Sequence, residues 1–390
     1  MSLLLLLACA GKAPAEAPAA TPSAQVRARP QPDADSPTLQ RVPGAQQDGG
    51  MDRSVMALVG AARDPGVRLP TAQTLQARAQ AGYPCPATYL RELTGDGAQP
   101  ERLLAELEKA ALSESAPVDL ALASRDFSDS GTLWIAGICP VLALLDPIPR
   151  DIGVGDPVPV SVELAAGQDW ELQLFVDPPV GPVTQQPLSE NVASWYTRTE
   201  HPGEYRFEVV GSRPRESRVL LLWSVFVDQE PAALDSLPRA QAQAPDPMAA
   251  TEALYRELNR IRQEAGLAPV TPFPAFEPLA REQAATLAYR GVVAHSLSGL
   301  PTLAERAEAG FHPRALHYEN VAAAPTWQEA SDLVALSPGH AMNLLCERCT
   351  HASIGVALEP VTDRVPRLFV VWELLEFPDG EPVEIRRFAE

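Results

Sequence analysis

His295-Ser296, Glu305-Arg306-Ala307-Glu308-Ala309-Gly310-Phe311, Glu319-Asn320-Val321, Ser337-Pro338-Gly339-His340 and Ile354-Gly355-Val356 punctuate the last third of a 390-residue chain. Two imidazoles and a carboxylate stand on three separate segments, 24 residues apart (319 − 295) and then 21 (340 − 319). A fold that gathers His295, Glu319 and His340 would hold a common ligand set for a divalent metal such as zinc, and equally an acid-base set. A carboxylate beside a histidine favours its charged form, and burial opposes this. Ser337 suits a helix N-cap with Pro338 at the first helical position, which sets His340 in the first turn. Asn320 suits a backbone hydrogen bond beside Glu319. The same trio also reads as a buried polar network that only holds the fold together.

Around these segments, Leu254, Leu258 and Ile261 fall at helical spacing over residues 251–265, with Gly266 as a stop. Residues 276–290 read as a second helix, and 354–358 and 368–374 as strands. Helices followed by strands in one short segment argue an α+β sandwich. With Leu258-Asn259-Arg260-Ile261-Arg262 and Gly266-Leu267 ahead of them, the segments closely resemble, in order and spacing, the bacterial CAP family, also called SCP-like, over residues 251–378. The resemblance implies an α-β-α sandwich with a polar cleft lined by two histidines and acidic residues. By motif the first histidine is His295, the glutamate Glu319 and the second histidine His340. Many members complete a tetrad with a second glutamate, which no motif here locates. Glu329 is nearest in sequence, but following Trp327 on a predicted helix it reads as a solvated charge. His312 and His317, on the predicted loop before Glu319, read as surface residues.

Upstream, residues 156–227 have period two: Val158, Val160, Val162 and Leu164, then Trp170, Leu172, Leu174 and Val176, then Tyr205, Phe207 and Val209, and a fourth run from Val219 to Val227. Short strands between Pro, Gly and Asp turns suggest a β-sandwich over 139–230, immunoglobulin-like in type. Residues 231–250 carry no sustained period and read as a linker. Residues 51–138 read as a helical or α+β region. Within it Leu75 to Pro84 (LQARAQAGYP) parallels Leu303 to Pro313 (LAERAEAGFHP) at an offset of 228 that runs back to Arg53 against Arg281. His295 then faces Val67, Glu92 can be set against Glu319, and the strand from Val118 against that from Ile354. The region is thus either a degenerate CAP-like copy or a composition-driven likeness of amphipathic helices.

At the N-terminus Leu6-Leu7-Ala8-Cys9 resembles a bacterial lipobox, which makes Cys9 the lipidated residue, 1–9 the signal segment and 10–50 a polar tether unable to bury a core. Ala10 in the next position implies the outer membrane in a Gram-negative host. Residues 379–390 are left as a tail. Cys85, Cys139, Cys346 and Cys349 remain, an even number that fits an oxidising envelope compartment, with the pairing open. Cys346 and Cys349 with His351 nearby are an alternative zinc set, though one CxxC supplies only two ligands.

Lys and Arg number 31 against 50 Asp and Glu, a net charge of −19 that repels nucleic acid and anionic membranes and leaves a lipid anchor as the route to a bilayer. With 46% hydrophobic residues the chain can fill the cores of several domains. The expected architecture is therefore multidomain α+β. The expected function is recognition of an envelope lipid, glycan or protein through His295, Glu319, Asn320 and His340, because no activated nucleophile stands beside the trio: Ser296 only adjoins His295 in sequence. A metal-assisted or His/Glu hydrolase of peptide or envelope polymer, with His295, Glu319 and His340 as its catalytic set, is the alternative. A structural spacer is the third reading.

Overall fold

The computed structural model describes residues 45–46, 48–95, 98–114, 116–127, 130–149, 152–188, 193–213, 216–235, 237, 246–295, 297, 301, 303, 305–306, 316–361 and 366–377. Cys9, the tether before residue 45, Ser296, Ala307 to His312 and the tail from residue 379 lie outside these residues.

The C-terminal unit comprises α4 (Pro247–Glu264), β12 (Thr271–Pro272), α5 (Glu277–Arg290), β13 (Leu316–Ala324), α6 (Trp327–Ala335), α7 (Pro338–Leu344), β14 (His351–Leu358) and β15 (Leu368–Glu376). Asp246 caps α4 by accepting from the Met248 amide, with Pro247 at the first position, and the chain leaves the helix through Gly266 at φ 75°. The sheet runs β12-β14-β15-β13, with β12 parallel to β14 and the other pairs antiparallel. Every residue of β15 is buried because both faces are covered. Leu254, Leu258 and Val334 pack with Val370, Trp372 and Leu374 on one face, and Ala284 and Leu287 with Val321, Phe369 and Val371 on the other. The Ile354-Gly355-Val356 segment has a steric cause, since a Cβ on Gly355 would meet the Ala280 carbonyl at 2.1 Å. Asn259 brackets Val270 by donating to its carbonyl and accepting from its amide, and fully buried Arg262 donates to the carbonyls of Ala268, Leu344, Cys346 and Cys349.

The first unit contains β1 (Ala45–Gln46), α1 (Gly49–Ala61), α2 (Thr71–Ala81), β2 (Thr88–Thr94), α3 (Glu101–Ser113), β3 (Val118–Phe127) and β4 (Gly131–Pro140). It is more than helical: its sheet runs β1-β3-β4-β2, with the same parallel and antiparallel senses as β12-β14-β15-β13. The helices α1 and α2 cover one face and α3 the other. Between the two units β5 (Ala143–Leu145), β6 (Pro157–Leu164) and β9 (Ala193–Arg198) form one sheet, and β7 (Glu171–Asp177), β8 (Thr184–Leu188), β10 (Gly203–Arg213) and β11 (Glu216–Val227) another. Val158, Val160, Leu174, Phe207, Val209 and Val225 share one core between them.

The segment read as a linker is partly built into the fold. Leu237 is buried in the core of the first unit, its amide donates to the Ala61 carbonyl, and α4 already begins at Pro247. All three units touch. The Leu222 amide donates to the Pro84 carbonyl, Arg68 pairs with Glu329, and Arg206 donates to the Ala335 carbonyl. The cysteines pair as Cys85–Cys139 and Cys346–Cys349, with Cα atoms 6.2 and 5.4 Å apart. The latter disulfide removes the thiolates that the CxxC zinc alternative requires.

Candidate functional site

The site lies along β13, the edge strand of the C-terminal sheet. Successive residues of a strand point to opposite faces, so Glu319 looks toward α5 with Val321 while Asn320 looks toward α6 and α7 with Ala322. The Glu319 side chain is fully buried. Its Oε1 lies 2.8 Å from His295 Nδ1, and its Oε2 accepts from the Arg306 guanidinium. Arg306 also donates to the His295 carbonyl at 3.0 Å, tying the segment after α5 to Glu319. The His295 side chain retains 40% exposure. Its ring lies against that of His340, with centroids 6.5 Å apart and planes 25° off parallel.

Asn320 does bond backbone, as expected, but across the site: its amide donates to the His340 carbonyl at 2.9 Å, and Asn343 donates to the Asn320 side-chain oxygen at 2.8 Å. Ser337 occupies the N-cap position of α7 and Pro338 its start, as the motif predicts. The Ser337 hydroxyl makes no cap bond. It sits 2.6 Å from His340 Nδ1 and donates to Glu208 Oε1 at 2.8 Å. The cap is supplied from the middle unit, because Glu208 on β10 accepts from the Gly339 amide. A Cβ on Gly339 would stand 3.1 Å from Glu208 Oε2, so glycine admits this carboxylate.

Burial dominates the electrostatics. It pushes His340 down to about 4, helped by His295, and raises Glu208 to about 7 against the hydrogen bonds from Gly339 and Ser337. Glu373 pairs with Glu319 across β13 and β15. Burial, and then the Glu319 charge, hold it well above the carboxylate range, so it stays protonated against Glu319.

Glu373, rather than Glu329, is the second glutamate at Glu319. Glu329 is no solvated charge: it is buried at the contact with the first unit, where Arg68 pairs with it. His317 is not on a surface loop but in β13, stacked 5.6 Å from Phe276 and pushed down to about 4 by burial. Of the residues missed by sequence reasoning, Glu373 left a signal, as the one charge inside the apolar run LFVVWELL. Arg306 stood in the motif with no role assigned. Glu208 alternates with Phe207 and Val209 and reads as facing water.

Among the described residues no three His, Cys, Asp or Glu side chains converge on a metal position. Both Glu319 oxygens are engaged, one with His295 and the other with Arg306. Among the described residues no helix is long and apolar enough to cross a membrane.

The family model described as the cysteine-rich secretory protein family, CAP, matches residues 255–372. Among solved structures, an extracellular protein containing a SCP domain from Bacillus anthracis is 13% identical, with 72% of this chain and 93% of that one covered at a TM-score of 0.30. A cysteine-rich secretory protein from Staphylococcus aureus is 11% identical, covering 82% and 97% at 0.29. An outer surface protein from Borrelia burgdorferi is 22% identical, covering 34% and 98% at 0.29. No curated protein matches the chain significantly. Its motifs, its sheet and the family match agree, and residues 255–372 are a CAP domain.

Proposed function

We propose that the CAP domain is a recognition module of the cell envelope, whose cleft binds the hydrogen-bond donors of a ligand instead of turning it over. The bond between His295 Nδ1 and Glu319 carries this reading. A carboxylate only accepts, so the neutral His295 ring donates from Nδ1 and presents the lone pair of its Nε2 as an acceptor on the exposed side. Such an acceptor selects hydroxyl or ammonium groups, which fits an envelope glycan with its attached peptide better than a polyanion facing a net charge of −19.

Among the described residues the hydroxyl bonded to the trio is a poorly placed nucleophile. The Ser337 hydroxyl is buried and already bonded to Glu208 and His340, and a serine so held cannot reach a substrate carbonyl. Calorimetric titration of the full chain with a soluble muropeptide tests the reading. Saturable binding that weakens about 10-fold or more in His295→Ala is expected, in line with the loss of a buried polar contact. Absence of binding in the wild type would turn the assignment toward a lipid headgroup or protein.

The envelope location rests on Leu6-Leu7-Ala8-Cys9, the polar stretch after it and the paired cysteines. Cys9→Ala should release the protein from membranes. We also infer that residues 139–230 are an immunoglobulin-like spacer and that residues 51–138 are a degenerate CAP-like copy. The offset of 228 carries Gly49–Ala61 onto residues 277–289 and Thr88–Thr94 onto residues 316–322, against α5 and β13. On that register Arg78 matches Arg306, while Arg91 rather than Glu92 takes the place of Glu319. Arg78 accordingly donates to the Cys85 and Leu222 carbonyls, so the counterpart of the site has become a contact with the middle unit.

A further inference from the structure

The SPGH segment of the CAP domain does not complete its own hydrogen bonding. Glu208 reaches it from the central strand of the neighbouring unit, fully buried, with Oε1 on the Ser337 hydroxyl and Oε2 on the Gly339 amide. The nearest cation on the same strand, Arg206, is paired with Asp177 and donates to the Ala335 carbonyl. A serine hydroxyl owns one proton.

We propose that Glu208 is a positioning residue for the cleft: as a carboxylate it accepts the Ser337 hydroxyl hydrogen bond, which obliges His340 to donate from Nδ1 to the Ser337 oxygen and so leaves His340 Nε2 unprotonated. Glu319 does the same for His295 from within the domain. The cleft then presents two imidazole acceptors of matched tautomer, one oriented by the CAP domain and the other by the middle unit. The site is complete only in the assembled chain. The consequence for binding rests on the recognition reading, whereas the tautomer itself is independent of any ligand.

Histidine-ring 15N NMR on the full chain at pH 8, without ligand, reads the tautomer directly. In the wild type, His340 Nδ1 should give the protonated type of signal and Nε2 the unprotonated type. Glu208→Gln keeps one oxygen for the Gly339 amide and turns its NH2 toward Ser337, whose proton then goes to His340. The two His340 signals should exchange type, and those of His295 should not. Ser337→Ala, which leaves the Gly339 bond to Glu208 intact, should abolish the single-tautomer preference of His340. Protonated Nε2 in the wild type, or a Glu208→Gln protein that folds with its His340 signals unchanged, would overturn the proposal. Failure of the muropeptide titration with the tautomers as expected would remove the recognition reading and leave this one standing.

Discussion

Ser337 Oγ and His340 Nδ1 lie 2.6 Å apart, closer than any other contact of the His340 ring among the described residues, and the same hydroxyl reaches Glu208 in another structural unit. The SPGH motif is therefore a junction as well as a helix start. Its serine joins two units, its glycine admits a carboxylate, and its histidine is oriented by the result. That coupling, with the close packing seen at Gly355, leads to specific expectations.

Gly355→Ala would drive a methyl group into the Ala280 backbone, which cannot swing aside as a side chain would. We expect a loss of about 3 kcal/mol, at the upper end of ordinary overpacking costs, read as a lower denaturant midpoint at unchanged slope.

The two disulfides should differ in weight. Loop-closure entropy gives about 4 kcal/mol for Cys85–Cys139, separated by 54 residues, and about 2 kcal/mol for Cys346–Cys349, separated by 3. Replacing the first pair by serine should lower Tm more than replacing the second.

Stability should depend on pH with opposing contributions. Glu208 is raised from 4.5 to about 7, so its contribution is fully present below pH 4.5 and is lost as pH rises through about 7. His340 and His317, lowered from 6.5 to about 4, contribute stability above pH 6.5 that is lost as pH falls through about 4. Glu208→Gln should therefore gain on the wild type between pH 5 and 8 by on the order of 2 kcal/mol, measured by urea denaturation at both pH values.

We propose a divalent metal as a second ligand class, held by His295 and His340, with Glu319 orienting His295. Zinc should raise Tm through preferential binding to the folded state, and His295→Ala with His340→Ala should abolish the rise. An equal rise in the double variant would place the metal elsewhere.

Much of the CAP domain could be read from sequence because its signals are local. Leu254 and Leu258 mark α4 by spacing, Gly266 ends it, and the ordered motifs bring His295, Glu319 and His340 to one edge strand. What escaped depends on contacts between distant segments. Glu208 looks solvent-facing because strand alternation reports only that a face is polar, not that another unit covers it. Glu329 looked solvated for the same reason, until Arg68 met it. The sheet of the first unit is hard to see in sequence because strands such as TYLRELT in β2 mix polar and apolar residues without clean alternation.

The most direct test of the central claim is to incubate the full chain with a muropeptide at saturating concentration and follow the ligand and the His295 and His340 ring nitrogens together by NMR. The account predicts saturable shifts of both Nε2 signals with the muropeptide recovered intact. Cleavage of the muropeptide that disappears in Glu319→Gln and His340→Ala, while both variants keep wild-type melting curves, would contradict it.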